Sequence, residues 1–113
     1  MKKTLAILLL LVLGLVPVLA WAEQSENIED IQKSYDQAVS LVEQGRYSDA
    51  KAIFNKLGNY SWSALYRQYI DGQQALRRGA LDEALAKFEA LSARGFLDST
   101  EMAARTRAQQ AGR

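Results

Sequence analysis

From Ile28 onward the chain alternates apolar and polar residues with the period of a helix. Ile28, Ile31, Tyr35, Ala38, Leu41 and Val42 recur at steps of three and four, which lays them along one stripe of a helix over about 28–43. Tyr47, Ala50, Ile53, Phe54 and Leu57 do the same for a second helix over about 47–57. Trp62, Leu65, Tyr66, Tyr69, Ile70, Gly72, Gln73 and Leu76 line a third, over about 62–77, and Leu81, Ala84, Leu85, Phe88 and Leu91 a fourth, over about 81–93. A fifth, ending near Gln109, has only Met102, Ala103, Ala104 and Ala108 to bury. Gly45, Gly58, Gly79 and Gly95 fall at the ends of these stripes, where a residue free to take positive φ closes a helix. Asn27 is placed to cap the first helix and Ser61 or Ser63 the third. Asp98-Ser-Thr-Glu101 has the spacing of a capping box for the fifth.

The second and fourth helices are copies. Gly45, Ala50, Ala52, Phe54 and Leu57 return as Gly79, Ala84, Ala86, Phe88 and Leu91, each 34 residues on. A fixed displacement of this size signals a stacked helix–turn–helix repeat. Ala38 and Gly72 occupy equivalent points of the first helices, and Ala50 and Ala84 of the second. Small residues there allow antiparallel axes to cross closely. Phe54 and Phe88 are then expected to fill the space between successive hairpins. The weakly apolar fifth helix suits a terminal cap with a polar outer face.

Ahead of this lies a different kind of sequence. Lys2 and Lys3 precede an uncharged apolar stretch, Pro17 interrupts it, and Ala20-Trp21-Ala22 offers small residues at a cleavage site. The layout is that of a secretory signal peptide over 1–22, leaving 23–113 as the mature domain. The alternative is an uncleaved N-terminal anchor, since Leu5 to Ala22 is long enough to cross a bilayer. In either case the positive-inside rule puts the rest of the chain outside the cytoplasm: periplasmic, in the cell envelope or secreted. The chain has no cysteine, so neither a disulfide nor a lipobox lipid is available.

At the repeated positions the chain resembles the tetratricopeptide repeat family. Ala38, Gly45, Tyr47, Ala50 and Phe54 fit that family's pattern, as do Gly72, Gly79, Leu81, Ala84 and Phe88. The repeats run over about 31–64 and 65–98, with the capping helix over about 99–110. The early aromatic of the first helix is displaced by one residue, to Tyr35 and Tyr69, and the terminal proline is absent. The closings around Tyr60-Ser-Trp-Ser63 and Phe96-Leu-Asp-Ser99 look instead like those of small exported bacterial repeats. The resemblance implies an all-α fold: two antiparallel helix–turn–helix hairpins plus a C-terminal capping helix, forming a short right-handed solenoid. It also implies a concave groove lined by the first helices. The groove positions carry Gln32, Tyr35, Val39, Val42 and Glu43, then Tyr66, Tyr69, Gln73, Leu76 and Arg77, with Arg107 placed to extend the row from the cap. The Lys and Asn of the family's carboxylate clamp are missing from them.

Charge and composition narrow the function. With Lys2 and Lys3 removed, twelve basic residues face thirteen acids, a net charge of −1. A near-neutral domain has no general attraction to nucleic acid or to an anionic membrane. Membrane contact is expected only if the N-terminal segment is retained. Acids gather near the start of the mature chain, and Arg94, Arg105, Arg107 and Arg113 near its end. There is no histidine or cysteine, so thiol catalysis and His-ligated metal sites have no residues to use. Adjacent carboxylates such as Asp82 and Glu83 diverge on a helix. The expectation is a non-enzymatic module, without cofactor or metal, that binds a peptide or protein in its groove. The alternative is an assembly unit that self-associates through its ends, acidic first helix against basic last helix.

Overall fold

A computed structural model describes residues 28–112, and every regular element among them is a helix. The asparagine at 27 and the whole segment over 1–22 lie outside the described residues. The chain divides into two compact units, Met1–Lys33 and Ser34–Arg113. The helices are α1 over 28–43, α2 (Tyr47–Leu57), α3 (Ser63–Arg78), α4 (Leu81–Ser92) and α5 (Ser99–Ala111). None of the described helices is long and apolar enough to cross a membrane.

Within 34–113, successive helices pack antiparallel, and their side-chain links show it. Lys51 pairs with Asp71 at 2.5 Å and Gln74 donates to Ser48 at 3.2 Å, so α2 and α3 run past each other in opposite senses. Gln110 donates to Asp82 at 2.7 Å, while Ser92 meets Thr100 at 2.6 Å, which does the same for α4 and α5. This packing is consistent with a helical repeat.

The turns are built twice. Gly45 and Gly79 close α1 and α3 at φ +76° and +78°. In each case the glycine N–H reaches the carbonyl three back, Val42 or Leu76, and the next N–H reaches Leu41 or Ala75. That pairing satisfies two carbonyls the helix leaves free, and its left-handed residue costs any side chain but glycine's. The closings that follow are also duplicates, at a displacement of 36 rather than 34. Ser63 N–H bonds Tyr60 O and Ser99 N–H bonds Phe96 O. Ser61 and Leu97 share φ +50°. Trp62 (φ −99°, ψ 25°) and Asp98 (φ −95°, ψ 26°) share the next conformation. The second connection is therefore longer, and α5 begins in the geometry that begins α3.

Neither expected serine nor aspartate cap forms. Trp62, not a serine, precedes α3, and Ser63 Oγ donates to Tyr60 O at 2.6 Å. Asp98 precedes α5 without a side-chain cap, because its carboxylate accepts the Tyr69 hydroxyl at 2.7 Å. Capping falls instead to Arg67, whose Nη1 donates to Phe54 O (2.8 Å) and Gly58 O (2.6 Å) at the end of α2. At Phe54 O it adds to the bond from the Gly58 N–H at 3.2 Å.

The core runs through the small positions and the phenylalanines. Ala38, Ala50, Ala84, Phe54 and Phe88 are fully buried. Phe54 lies flat on Tyr66 of α3, with ring centroids 4.8 Å apart and planes 5° from parallel, so it joins one hairpin to the next. Phe88 is packed on α3. It faces Gly72, where an added Cβ would come within 2.9 Å of the ring, and meets Tyr69 edge-on at 6.0 Å. Gly72 is thus a close approach of α3 to α4.

Candidate functional site

The tyrosines of the predicted groove are anchored in the core by their rings. Tyr66 and Tyr69 are 7% and 6% exposed. Tyr66 is held between Phe54, Phe96 (4.9 Å, edge-on) and Tyr35 (6.0 Å, edge-on). Tyr35 is half-buried and also touches Phe54 (5.8 Å) and Tyr60 (5.6 Å) edge-on. Edge-to-face and offset contacts at these separations suit the ring quadrupoles and fix each ring's orientation. Val39 is half-buried against the same core.

The hydroxyls divide into two groups. Tyr69 Oη donates to Asp98 and accepts from Gln73 Nε2 at 2.9 Å. Gln73 is itself only 9% exposed. This chain of two hydrogen bonds ties α3 to the start of α5. Burial first, and the bond to Asp98 second, push the Tyr69 phenol well above its ordinary pKa. Tyr66 is also raised, first by burial and then by the neighbouring Tyr35 and Glu43. Glu43 is exposed. Tyr35 and Tyr66 stand together on an aromatic floor that includes Phe54, Tyr60 and Phe96.

Arg77 reaches the end of α1. Its guanidinium stacks over the Tyr47 ring at 4.7 Å, and Nη2 approaches Gly45 O at 3.4 Å. It closes the α1–α2 turn. Gln32 is exposed and belongs to the other compact unit. Of the basic residues at the end of the chain, Arg107 is paired with Glu89 at 2.8 Å, and Arg105 is exposed.

Two residues central to this arrangement, Phe96 and Asp98, were not among the predicted groove positions. The signal that places them is the second, 36-residue displacement, in which Phe96 takes the part of Tyr60 and Asp98 that of Trp62. Among the described residues no three of the acidic side chains come together as a metal site. No protein-family model matches the chain, and neither curated proteins nor solved structures give a match.

Proposed function

We propose that the chain is an exported repeat protein of the tetratricopeptide type, two hairpins and a closing helix in a short solenoid. In this reading it binds a peptide or protein segment across the face that carries Tyr35, Val39, Tyr66 and Glu43. The observation that carries the reading is the edge-on pair Tyr35–Tyr66, ring centroids 6.0 Å apart, with the exposed Glu43 on the same helix as Tyr35. Rigid aromatics with a polar tip lose little entropy on binding, which is why they recur at interface hot spots. Glu43 adds a preference for a ligand with a basic or amide donor. Tyr69 and Gln73 act from behind, holding the row in register, and Arg77 supports the turn that ends α1.

The test must spare the core, because Tyr66→Ala would remove the partner of Phe54. The variant Tyr35→Phe/Tyr66→Phe/Glu43→Gln keeps every ring and removes the two hydroxyls and the charge. Affinity capture from native envelope extract should lose a specific protein in this variant while helicity stays unchanged. Equal capture by both proteins rejects the face. Capture of the chain's own copies alone would instead favour assembly through the ends.

A further inference from the structure

The connection that leads into α5 is a poorer copy of the one that leads into α3. At the shared φ of +50° the first has Ser61 and the second Leu97, which is 51% exposed. An aliphatic side chain finds no hydrogen bond there to offset the strain of a left-handed backbone. Two residues on, Ser63 Oγ donates to Tyr60 O at 2.6 Å, whereas the equally buried Ser99 Oγ has no hydrogen-bond partner. A buried hydroxyl left unpaired makes the closed turn costlier still.

Helix α5 is also the element with little to lose by leaving. Of its thirteen residues only Ser99, Met102, Ala103 and Thr106 are buried, and two of these carry hydroxyls. By contrast α4 buries Leu81, Ala84, Phe88 and Leu91. Directional links fix α5 in place: Tyr69–Asp98, Ser92–Thr100, Glu89–Arg107 and Asp82–Gln110. A helix that replaces α5 must bring the same side chains at the same spacing. The α5 of a second copy does so at every position.

We propose that two copies of this chain exchange α5, each helix docking on α3 and α4 of the other copy. All four links are then remade between chains, so no new surface is needed for them. Leu97 returns to negative φ as its connection opens, and short connections under strain invite such exchange. The opened connections also gain a contact. The pairs 92/100 and 82/110 are both centred on position 96, so exchange sets position 94 of one chain level with position 98 of the other. Arg94 is exposed and outside the ion pairs formed among the described residues. In the exchanged pair it faces Asp98 of the second copy. Tyr35, Val39 and Glu43, all on α1, take no part, so the exchange is independent of the peptide-binding reading.

The chain has no cysteine, so Ser92→Cys/Thr100→Cys supplies a single pair, at positions whose hydroxyls lie 2.6 Å apart. The full chain, refolded in detergent at rising concentration and then oxidised, should give a covalent dimer on non-reducing gels. Peptide mapping of that dimer should find position 92 linked to position 100 throughout. Leu97→Gly removes the strain of the closed turn and should lower the dimer fraction several-fold with helicity unchanged. Leu97→Pro, whose ring forbids positive φ, should raise it. Should Leu97→Pro lose helicity, the comparison of the parent with Leu97→Gly decides alone. Links within one chain only, at every concentration, overturn the proposal. Dimers linked 92 to 92 or 100 to 100 overturn it in favour of side-by-side contact, and a dimer fraction that Leu97→Gly leaves unchanged overturns it as well.

Discussion

Replacing Gly72 by alanine sets two effects of known sign against each other. Glycine inside a helix is about 0.8–1.0 kcal/mol worse than alanine, so propensity alone makes Gly72→Ala stabilising. The new Cβ, however, would lie 2.9 and 3.0 Å from Phe88 Cε1 and Cζ and 3.3 Å from Lys87 Cβ. Phe88 is fully buried and packed against Tyr69, so its ring has no free space to enter. Overpacking of this kind costs about 1–3 kcal/mol. The balance is a net destabilisation of up to roughly 2 kcal/mol, or as much as several degrees in Tm for a domain of this size. Urea unfolding followed by far-UV circular dichroism measures it, and a double-mutant cycle isolates the cause. In a Phe88→Leu background the obstruction shrinks, and Gly72→Ala should change sign to stabilise by up to about 1 kcal/mol. A stabilising Gly72→Ala in the parent chain would refute the close approach. An equal cost in both backgrounds would show that Phe88 is not its origin.

Tyr69→Phe should cost about 1–2 kcal/mol by removing the bond to Asp98 and leaving the buried Gln73 amide without its acceptor, and Tyr69→Phe combined with Asp98→Ala should be less than additive in chemical denaturation. Both buried phenols have pKa values raised above 10.0, so the folded chain holds these protons more tightly than the unfolded one. Their contribution is complete below pH 10 and is lost as pH climbs through the folded-state values; Tyr69→Phe should flatten that alkaline loss in pH-dependent melts. Arg67→Ala should cost about 1–3 kcal/mol, since it removes charge-assisted bonds to two carbonyls; hydrogen exchange should then rise first at the end of α2. Ala84→Leu, at a fully buried position, should cost about 1–3 kcal/mol in the same assay, and unchanged stability would contradict the packing of α4.

Helix positions were legible in the sequence wherever a stripe and a glycine stop agreed. The stripe over 47–57 and the stops at Gly45 and Gly79 correspond to observed elements because both are local: a 3.6-residue period and a left-handed turn. The helix starts were less legible. A serine or aspartate before a helix reads as a cap, but its oxygen has other acceptors or donors to choose from. Ser63 turned back to Tyr60 O, and Asp98 was taken by Tyr69, 29 residues away. No local pattern contains that partner.

The candidate face was legible as a row of residues but not as a surface. Position 66 carries tyrosine where position 32 carries glutamine, and a periodic reading assigns both to the same groove. Burial of Tyr66 depends on Phe54 and Phe96, one helix earlier and one turn later. Phe96 reaches that place because the second connection is longer than the first, a difference the 34-residue register conceals. The contacts of Arg77 with the Tyr47 ring and the Gly45 carbonyl, 30 and 32 residues back, were hidden for a similar reason.

The central claim is that a partner contacts the face around Tyr35 and Tyr66. A photo-crosslinking amino acid at Glu43, compared with the same residue at Ala86 on α4 and Ala104 on α5, tests it in intact cells of the native host. All three positions are exposed, so each variant should fold. The account predicts a discrete heterologous adduct from position 43 that is absent from 86 and 104 and is lost when Tyr35→Phe and Tyr66→Phe are added. No adduct from position 43, with self-adducts from position 104, would contradict it and leave assembly through the ends.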